Sequence, residues 1–331
     1  MNNTTTFPNV SAKCSPEQLI DIYRSGWIAG AVSICTAILN GFVIIMLLRR
    51  KKLSNSAFMI SHLAVTGLAV AILNGFPAMI KQHYSWEFSK EFCKWHLFSD
   101  QTAMYASSYA LIALSVDRYI AISKPLCLTR KKKWYKYMMV LIPWMLSSIF
   151  SIPYYVFGIL FPHCGASPGF SKIWCVADTR GIVGQIVLPC VTVFLIVIPA
   201  VIIISLNVYV YCFIKSKLDI RIKIRERRFS EALRTNSSAS LTCAKKRSLL
   251  ISIVVGIVFI VCWLPTSGST YAIMISQNLT LLNGIFFTLQ VLYPLNSLIN
   301  PIIIIVFNYT LFTCERPQLQ RMNSRLTDTI L

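Results

Sequence analysis

The sequence predicts an all-α membrane protein, a seven-transmembrane helix bundle with a short amphipathic eighth helix. Three observations predict it: an apolar composition, seven long apolar stretches and a one-sided distribution of bases. Of 331 residues, 55% are hydrophobic and 13% charged, too apolar for an ordinary soluble domain. A helix crossing hydrocarbon needs about 20 mostly apolar residues, because its backbone polar groups find partners only within the segment. Seven stretches meet that need: Trp27 to Leu48, Phe58 to Ile80, Phe98 to Ile122, Tyr137 to Leu160, Ile182 to Ile214, Leu249 to Ser276 and Leu281 to Phe307. The expected organisation is a tail over 1–26, the bundle over 27–307, and a cytoplasmic short helix and tail over 308–331.

The tail "MNNTTTFPNVS" is polar and lacks the basic-then-apolar pattern of a cleaved signal, so the first span is expected to insert itself. It carries glycosylation patterns at Asn2, Asn3 and Asn9, and Asn278 heads "NLT" between the sixth and seventh spans. Most of the 32 bases flank the opposite ends of the spans, as in Arg49 to Lys52, Arg130 to Lys133 and Lys215 to Arg247. Short basic loops stay in the cytoplasm. The expectation is a multi-pass protein of the plasma membrane with its N-terminus extracellular. The net charge of +20 is then accounted for by topology and by anionic membrane lipid, and no nucleic-acid partner is needed. Cys14, Cys93, Cys164 and Cys175 lie in outer segments, where disulfides form.

Asp117 and Arg118 stand together at the inner end of the third span. An arginine there can snorkel to the headgroups, and the adjacent carboxylate lowers its cost. Pro199, Pro265 and Pro301 fall inside the fifth, sixth and seventh spans. Each removes a backbone hydrogen bond and makes its helix bendable, although proline is also common in membrane helices that do not move.

Further residues keep these company in a fixed order. Asn40 lies on the first span, Asp117-Arg118-Tyr119 on the third and Trp144 on the fourth. "FIVCWLP", with Phe259, Trp263 and Pro265, lies on the sixth, and Asn300-Pro301 on the seventh. With seven spans, the chain resembles the rhodopsin-like (class A) G-protein-coupled receptors from about Trp27 to Arg316. The resemblance implies that Arg118 is held by its neighbouring acid and released to meet a heterotrimeric G protein, with Tyr119, Phe259, Pro265, Asn300 and Pro301 in the switch. It implies a disulfide between Cys93 and Cys175, and arrestin and receptor kinases as further partners. Ser324, Thr327 and Thr329 are candidate phosphorylation sites. Cys14 is left to pair with Cys164, with Cys190 as competitor. Cys314, just past the last span, is placed for palmitoylation or remains a free thiol.

Asp100 lies seven positions after Cys93, about 10 Å deeper in a helix, and an ionisable group at that depth marks a functional site. In receptors for biogenic amines and for some peptides, an acid at the matching place binds the ligand's cationic group. Met104, Trp263, Thr266, Ser267 and Tyr293 are the expected lining. The alternative is an acid satisfied by Tyr293, Tyr105 or water. "VTVFL" and "TSGS" stand where a catecholamine receptor carries fifth-span serines and sixth-span aromatics, which favours a peptide or other cationic messenger. No lysine lies between Leu281 and Phe307, so retinal is excluded. The sequence shows no catalytic constellation, metal cluster or phosphate-binding loop, and the expectation is no enzyme, no cofactor and no metal.

Four positions depart from the family. Gly67 replaces the second-span acid that holds sodium, Ile304 the seventh-span tyrosine and Asn207 its fifth-span partner, and Lys245 stands where an acid often braces the third-span arginine. These losses keep open a second reading, a seven-span decoy or scavenger that binds ligand and signals poorly. Without the carboxylate, sodium is expected to leave agonist affinity unchanged. Radioligand competition in sodium and in a larger inert cation checks this, and a clear loss of agonist binding in sodium would refute it.

Overall fold

A computed structural model describes residues 16–49, 55–123, 133–167, 170–178, 186–187, 189–190, 192–227, 250–251, 253–269, 289 and 292–307. The helices are α1 (Pro16–Leu48), α2 (Asn55–Val70), α3 (Phe76–His83), α4 (Lys90–Ser123) and α5 (Lys133–Val156). They continue with α6 (Ile198–Arg227), α7 (Ile253–Ser269) and α8 (Leu292–Phe307). The expected sites Asn2, Asn3, Asn9, Cys14, Asn278 and Cys314, the eighth helix and Lys245 lie outside the described residues.

The polarity of α1 is inside out. Ser25, Ser33, Thr36 and Asn40 are buried, whereas Trp27, Ile34, Ile38, Ile45 and Leu48 stand on the outer surface, Leu48 at 72% exposure. Water would not tolerate that arrangement, and lipid requires it. The buried hydroxyls donate to their own helix, Ser33 Oγ to Ala29 O at 2.7 Å and Thr36 Oγ1 to Val32 O at 2.6 Å. Four stretches are long and apolar enough to cross a membrane: Leu19–Leu48, Ala57–His83, Trp134–Val156 and Val193–Ser216. Ile253–Ser269 and Leu292–Phe307 are shorter apolar helices.

The third predicted span, within α4, is not among those four. It is buried along nearly its whole length, Cys93 to Ile122, and packs on α2, α5 and α6. A helix that faces protein rather than lipid can carry Asp100, Ser107, Ser108, Ser115 and Asp117 among its buried residues, and its apolarity falls accordingly.

Two π-helical turns interrupt the spans, and a proline accounts for each. Ala71–Gly75 joins α2 to α3 and is closed by the Phe76 N–H donating to Ala71 O, with Pro77 next in sequence. Val193–Val197 leads into α6 and is closed by the Ile198 N–H donating to Val193 O, with Pro199 next. In each case proline has no N–H for the carbonyl four residues back, and the helix widens by one residue just before it. The π turn in the second span lets α1 approach closely. A Cβ built on Gly75 would overlap Ser33 Oγ and lie 2.8 Å from Ser33 Cβ.

The predicted fourth span ends four residues early, at Val156 rather than Leu160, because the chain turns into a β-hairpin. Strand β1 (Gly158–Ser167) pairs antiparallel with β2 (Phe170–Ala177), Leu160 opposite Cys175. Ladder bonds take the place of the helical ones. The hairpin is fastened to the helices by the Cys93–Cys175 disulfide, by Trp86 N–H donating to Ile173 O at 2.8 Å, and by Ile173 N–H donating to Ser85 Oγ at 2.9 Å. Cys190 is a free thiol.

Gly75→Ala is expected to lower stability by about 1–3 kcal/mol through overpacking. Adding Ser33→Gly should restore it, because only Ser33 Cα, 3.7 Å away, then remains, whereas Ser33→Ala should not. Thermal unfolding of the three variants in detergent checks the order.

Candidate functional site

Asp100 is 5% exposed, and its carboxylate accepts a 2.7 Å hydrogen bond from Asn74 Nδ2. Asn74 belongs to the π turn of the second span, whose extra residue rotates the helix and presents the carboxamide to α4. Neither Tyr293 nor Tyr105, the partners considered from sequence, supplies this bond. Tyr105 is fully buried and shares a hydrogen bond with Tyr154 of α5. Tyr293 packs on Trp263, ring centroids 4.8 Å apart. The charge of Lys81, in the last turn of α3, acts on both Asp100 and His96.

Met104, one turn beyond Asp100, is buried in the same core as Trp263 and Phe259, whose rings lie 6.0 Å apart. Thr266 and Ser267 follow Pro265 on α7. The Thr266 hydroxyl donates back to Cys262 O at 3.2 Å and Trp263 O at 2.9 Å, so it serves its own helix around the proline. Pro265 lies on the outer surface beside Leu264, whereas Pro301 of α8 is buried.

Nearer the middle of the bundle, Asn40 Nδ2 donates to Thr36 O at 2.8 Å and to Ser297 O at 3.2 Å, which ties α1 to α8. Ser107 and Ser297 hydroxyls meet at 3.3 Å. A Cβ on Gly67 would stand 2.7 Å from Asn40 Oδ1, so the Asn40 carboxamide occupies the space a second-span acid would need. Asn296 and Asn300 add only neutral amides. These residues do not fit a bare cation, since they include no carboxylate to balance its charge and none is placed against them among the described residues.

At the other end of α4, Asp117 is fully buried beside the half-buried Arg118, and its charge acts on Arg118 and on Tyr135 in the first turn of α5. Sequence reasoning missed Tyr135, which sits among the bases of its loop with no spacing to single it out. Tyr119 meets Tyr209 of α6 edge-on at 5.1 Å. Asn207 is buried, and Ile304 fills the missing tyrosine's place as a buried core residue.

Inside-out helices packed around a central polar helix that ends in an acid–arginine pair define a multi-pass membrane protein. Residues 39–304 match the family described as 7 transmembrane receptor (rhodopsin family), and the chain belongs to it. Its members are receptors, not enzymes. The chain is 30% identical to cephalotocin receptor 1 of Octopus vulgaris over 84% of its length and 75% of that protein. It is 28% identical to the human neuropeptide S receptor over 94% of its length and 81% of that protein. To the mesotocin receptor of Rhinella marina it is 26% identical, over 80% and 68%.

Asn74→Ala removes one of the two side-chain donors to a buried carboxylate, a bond worth about 1.5–3 kcal/mol when one partner is charged, and leaves Gln101 as the other. The melting temperature of the purified receptor should fall accordingly, and fall less in the Asp100→Asn background. Equal losses in both backgrounds would count against the bond.

Proposed function

We propose that the chain is a plasma-membrane receptor, N-terminus outside, that binds an extracellular peptide through a basic group and activates a heterotrimeric G protein. The observation that carries this reading is Asp100, a carboxylate buried in the Cys93 half of the bundle and bonded only by the neutral amides of Asn74 and Gln101 among the described residues. A ligand ammonium or guanidinium offers it a charge-assisted bond in place of a neutral one. At about 4 Å and an effective dielectric near 20, that attraction is about 4 kcal/mol before desolvation. The relatives are by name receptors for cephalotocin, for neuropeptide S and for mesotocin, which favours a peptide over an amine. The hairpin, fastened by Cys93–Cys175, forms a fixed rim beside the entrance.

Coupling follows from the packing below the acid. A ligand seated on Asp100 presses on Met104 and on the contacts among Trp263, Tyr293 and Phe259. Pro265 lets α7 pivot, with Pro301 giving α8 the same freedom, and the inner half of α7 swings outward. Arg118 then leaves Asp117 for the G protein, with Tyr119 and Asn300 following the same rearrangement. In this reading residues 1–26 are the glycosylated outer tail, 27–307 the signalling bundle, and 308–331 the cytoplasmic helix and tail. Cys314 is lipid-anchored, and the tail is open to receptor kinases and arrestin.

Nucleotide exchange on purified heterotrimers, driven by a screen of cationic amines and amidated peptides, tests the proposal. Asp100→Asn should raise the half-maximal concentration of an active compound roughly 10- to 100-fold, the worth of one charge-assisted bond. Arg118→Ala should abolish exchange with binding retained. Exchange that persists in Arg118→Ala would overturn the mechanism, and ligand uptake with no exchange would establish the decoy instead.

A further inference from the structure

The entrance side of the bundle carries an ammonium that forms no direct ion pair among the described residues. Among the described residues, Arg24 is paired with Asp21 at 3.1 Å and Lys94 with Glu91 at 2.9 Å. Lys81 is half-buried and makes no direct ion pair or hydrogen bond there, although its charge reaches Asp100 and His96. It lies seven residues beyond Asn74, two turns and roughly 10 Å along the second span. His96 lies one turn before Asp100 on the antiparallel α4.

The direction of the helices brings the two charges toward one gap. Side chains in a helix lean toward its N-terminus. α3 runs toward the Cys93 end, so the Lys81 side chain leans down into the bundle. α4 runs away from that end, so Asp100 leans up. Asn74 already bonds Asp100 from the same helix, which fixes the level at which the two spans face each other. The space between the two spans at that level then has a buried carboxylate below it and, above it, an ammonium with no direct ion pair among the described residues.

Such a pair is poorly suited to a simple cation, which Asp100 attracts and Lys81 repels. It suits a group with both signs. Resting on the reading of Asp100 as a cation seat, we infer that the site takes a dipolar peptide moiety, its basic group on Asp100 and a carboxylate on Lys81. The carboxylate comes from a chain terminus or from an acidic side chain next to the basic residue.

Three probes separate the cases: N-acetyl-arginine, N-acetyl-agmatine, which differs from it only by lacking the carboxylate, and N-acetyl-Asp-Arg-amide, whose acid is a side chain. Each is titrated against the full-length receptor in nanodiscs, with the melting temperature as readout. At least one carboxylate probe should stabilise the wild type at lower concentration than N-acetyl-agmatine, and which one does identifies the source. Lys81→Gln should weaken that probe about tenfold, as loss of a charge-assisted bond requires, and should strengthen N-acetyl-agmatine. A role for Lys81 in folding alone would move all probes in the same direction. Shifts of the same sign for all three, or a wild type that responds to none of them or to N-acetyl-agmatine best, overturn the inference. Asp100→Asn is the separate control. If it leaves binding intact, the cation seat itself is wrong, whatever Lys81→Gln does.

Discussion

Inside hydrocarbon no water is available to satisfy a polar group, and the architecture follows from that constraint. Its effect is plainest on α1, where hydroxyls and a carboxamide that a soluble helix would expose are turned inward. Ser33 and Thr36 return their protons to the carbonyls of the preceding turn, and Asn40 reaches across to Ser297 of α8. Association of helices in lipid draws little from hydrophobic exclusion and depends on close packing and shared hydrogen bonds. The near contact of Gly75 with Ser33, and of Gly67 with Asn40, shows both at one seam. The same logic lets α4 be the most polar crossing, since its neighbours stand where lipid would be.

Much of this was legible in the residues. The first, second, fourth and fifth apolar stretches, the Cys93–Cys175 pair and the burial of Asp100 and Asp117 needed only composition, spacing and resemblance. The π turns did not show, because hydropathy is blind to backbone width. Pro77 and Pro199 were visible, yet a proline specifies a missing hydrogen bond and leaves open whether the helix kinks, breaks or widens. The widening has consequences beyond its own turn. One inserted residue rotates everything that follows by about 100°, so faces assigned from regular periodicity fail beyond Ala71. Asn74 and Lys81 both lie in that stretch, and no sequence pattern marks Asn74 as the partner of Asp100, for which Tyr293, Tyr105 or water were the expected alternatives. The hairpin was hidden for a different reason: Phe157 to Leu160 is as apolar as a span, and pairing with a strand more than ten residues on decided its fate.

The inner end illustrates how a departure from a family pattern can be absorbed. Asn207 and Ile304 replace two tyrosines, but the aromatic contact at the end of α4 is not lost. Tyr209, two residues further along α6, meets Tyr119 edge-on at 5.1 Å. Two residues along a helix turn a side chain through about 200°, so Tyr209 lies on the flank of α6 and is partly exposed, while Asn207 faces inward, buried. Tyr135 adds a neighbour to Asp117 from α5, close enough for the acid's charge to act on it.

Seen along its length, α4 is gripped by irregular backbone on two sides. The second-span π turn supplies Asn74 to Asp100, and the fifth-span π turn offers the Phe194 carbonyl to Tyr109, whose hydroxyl donates at 3.2 Å. A regular helix would have spent that carbonyl internally. Each grip is worth only about 1–3 kcal/mol; the Asn74 bond falls on the half of α4 where the ligand is proposed to sit, and the Tyr109 bond just past the middle of the helix. In the proposed reading, a cation that takes Asp100 from Asn74 removes one of the links between the second span and α4 while the Tyr109 bond to the fifth span stays in place. The two grips are then unequal under a ligand, and that inequality would give its press on the proposed pocket a preferred direction, toward the second span and away from the fifth.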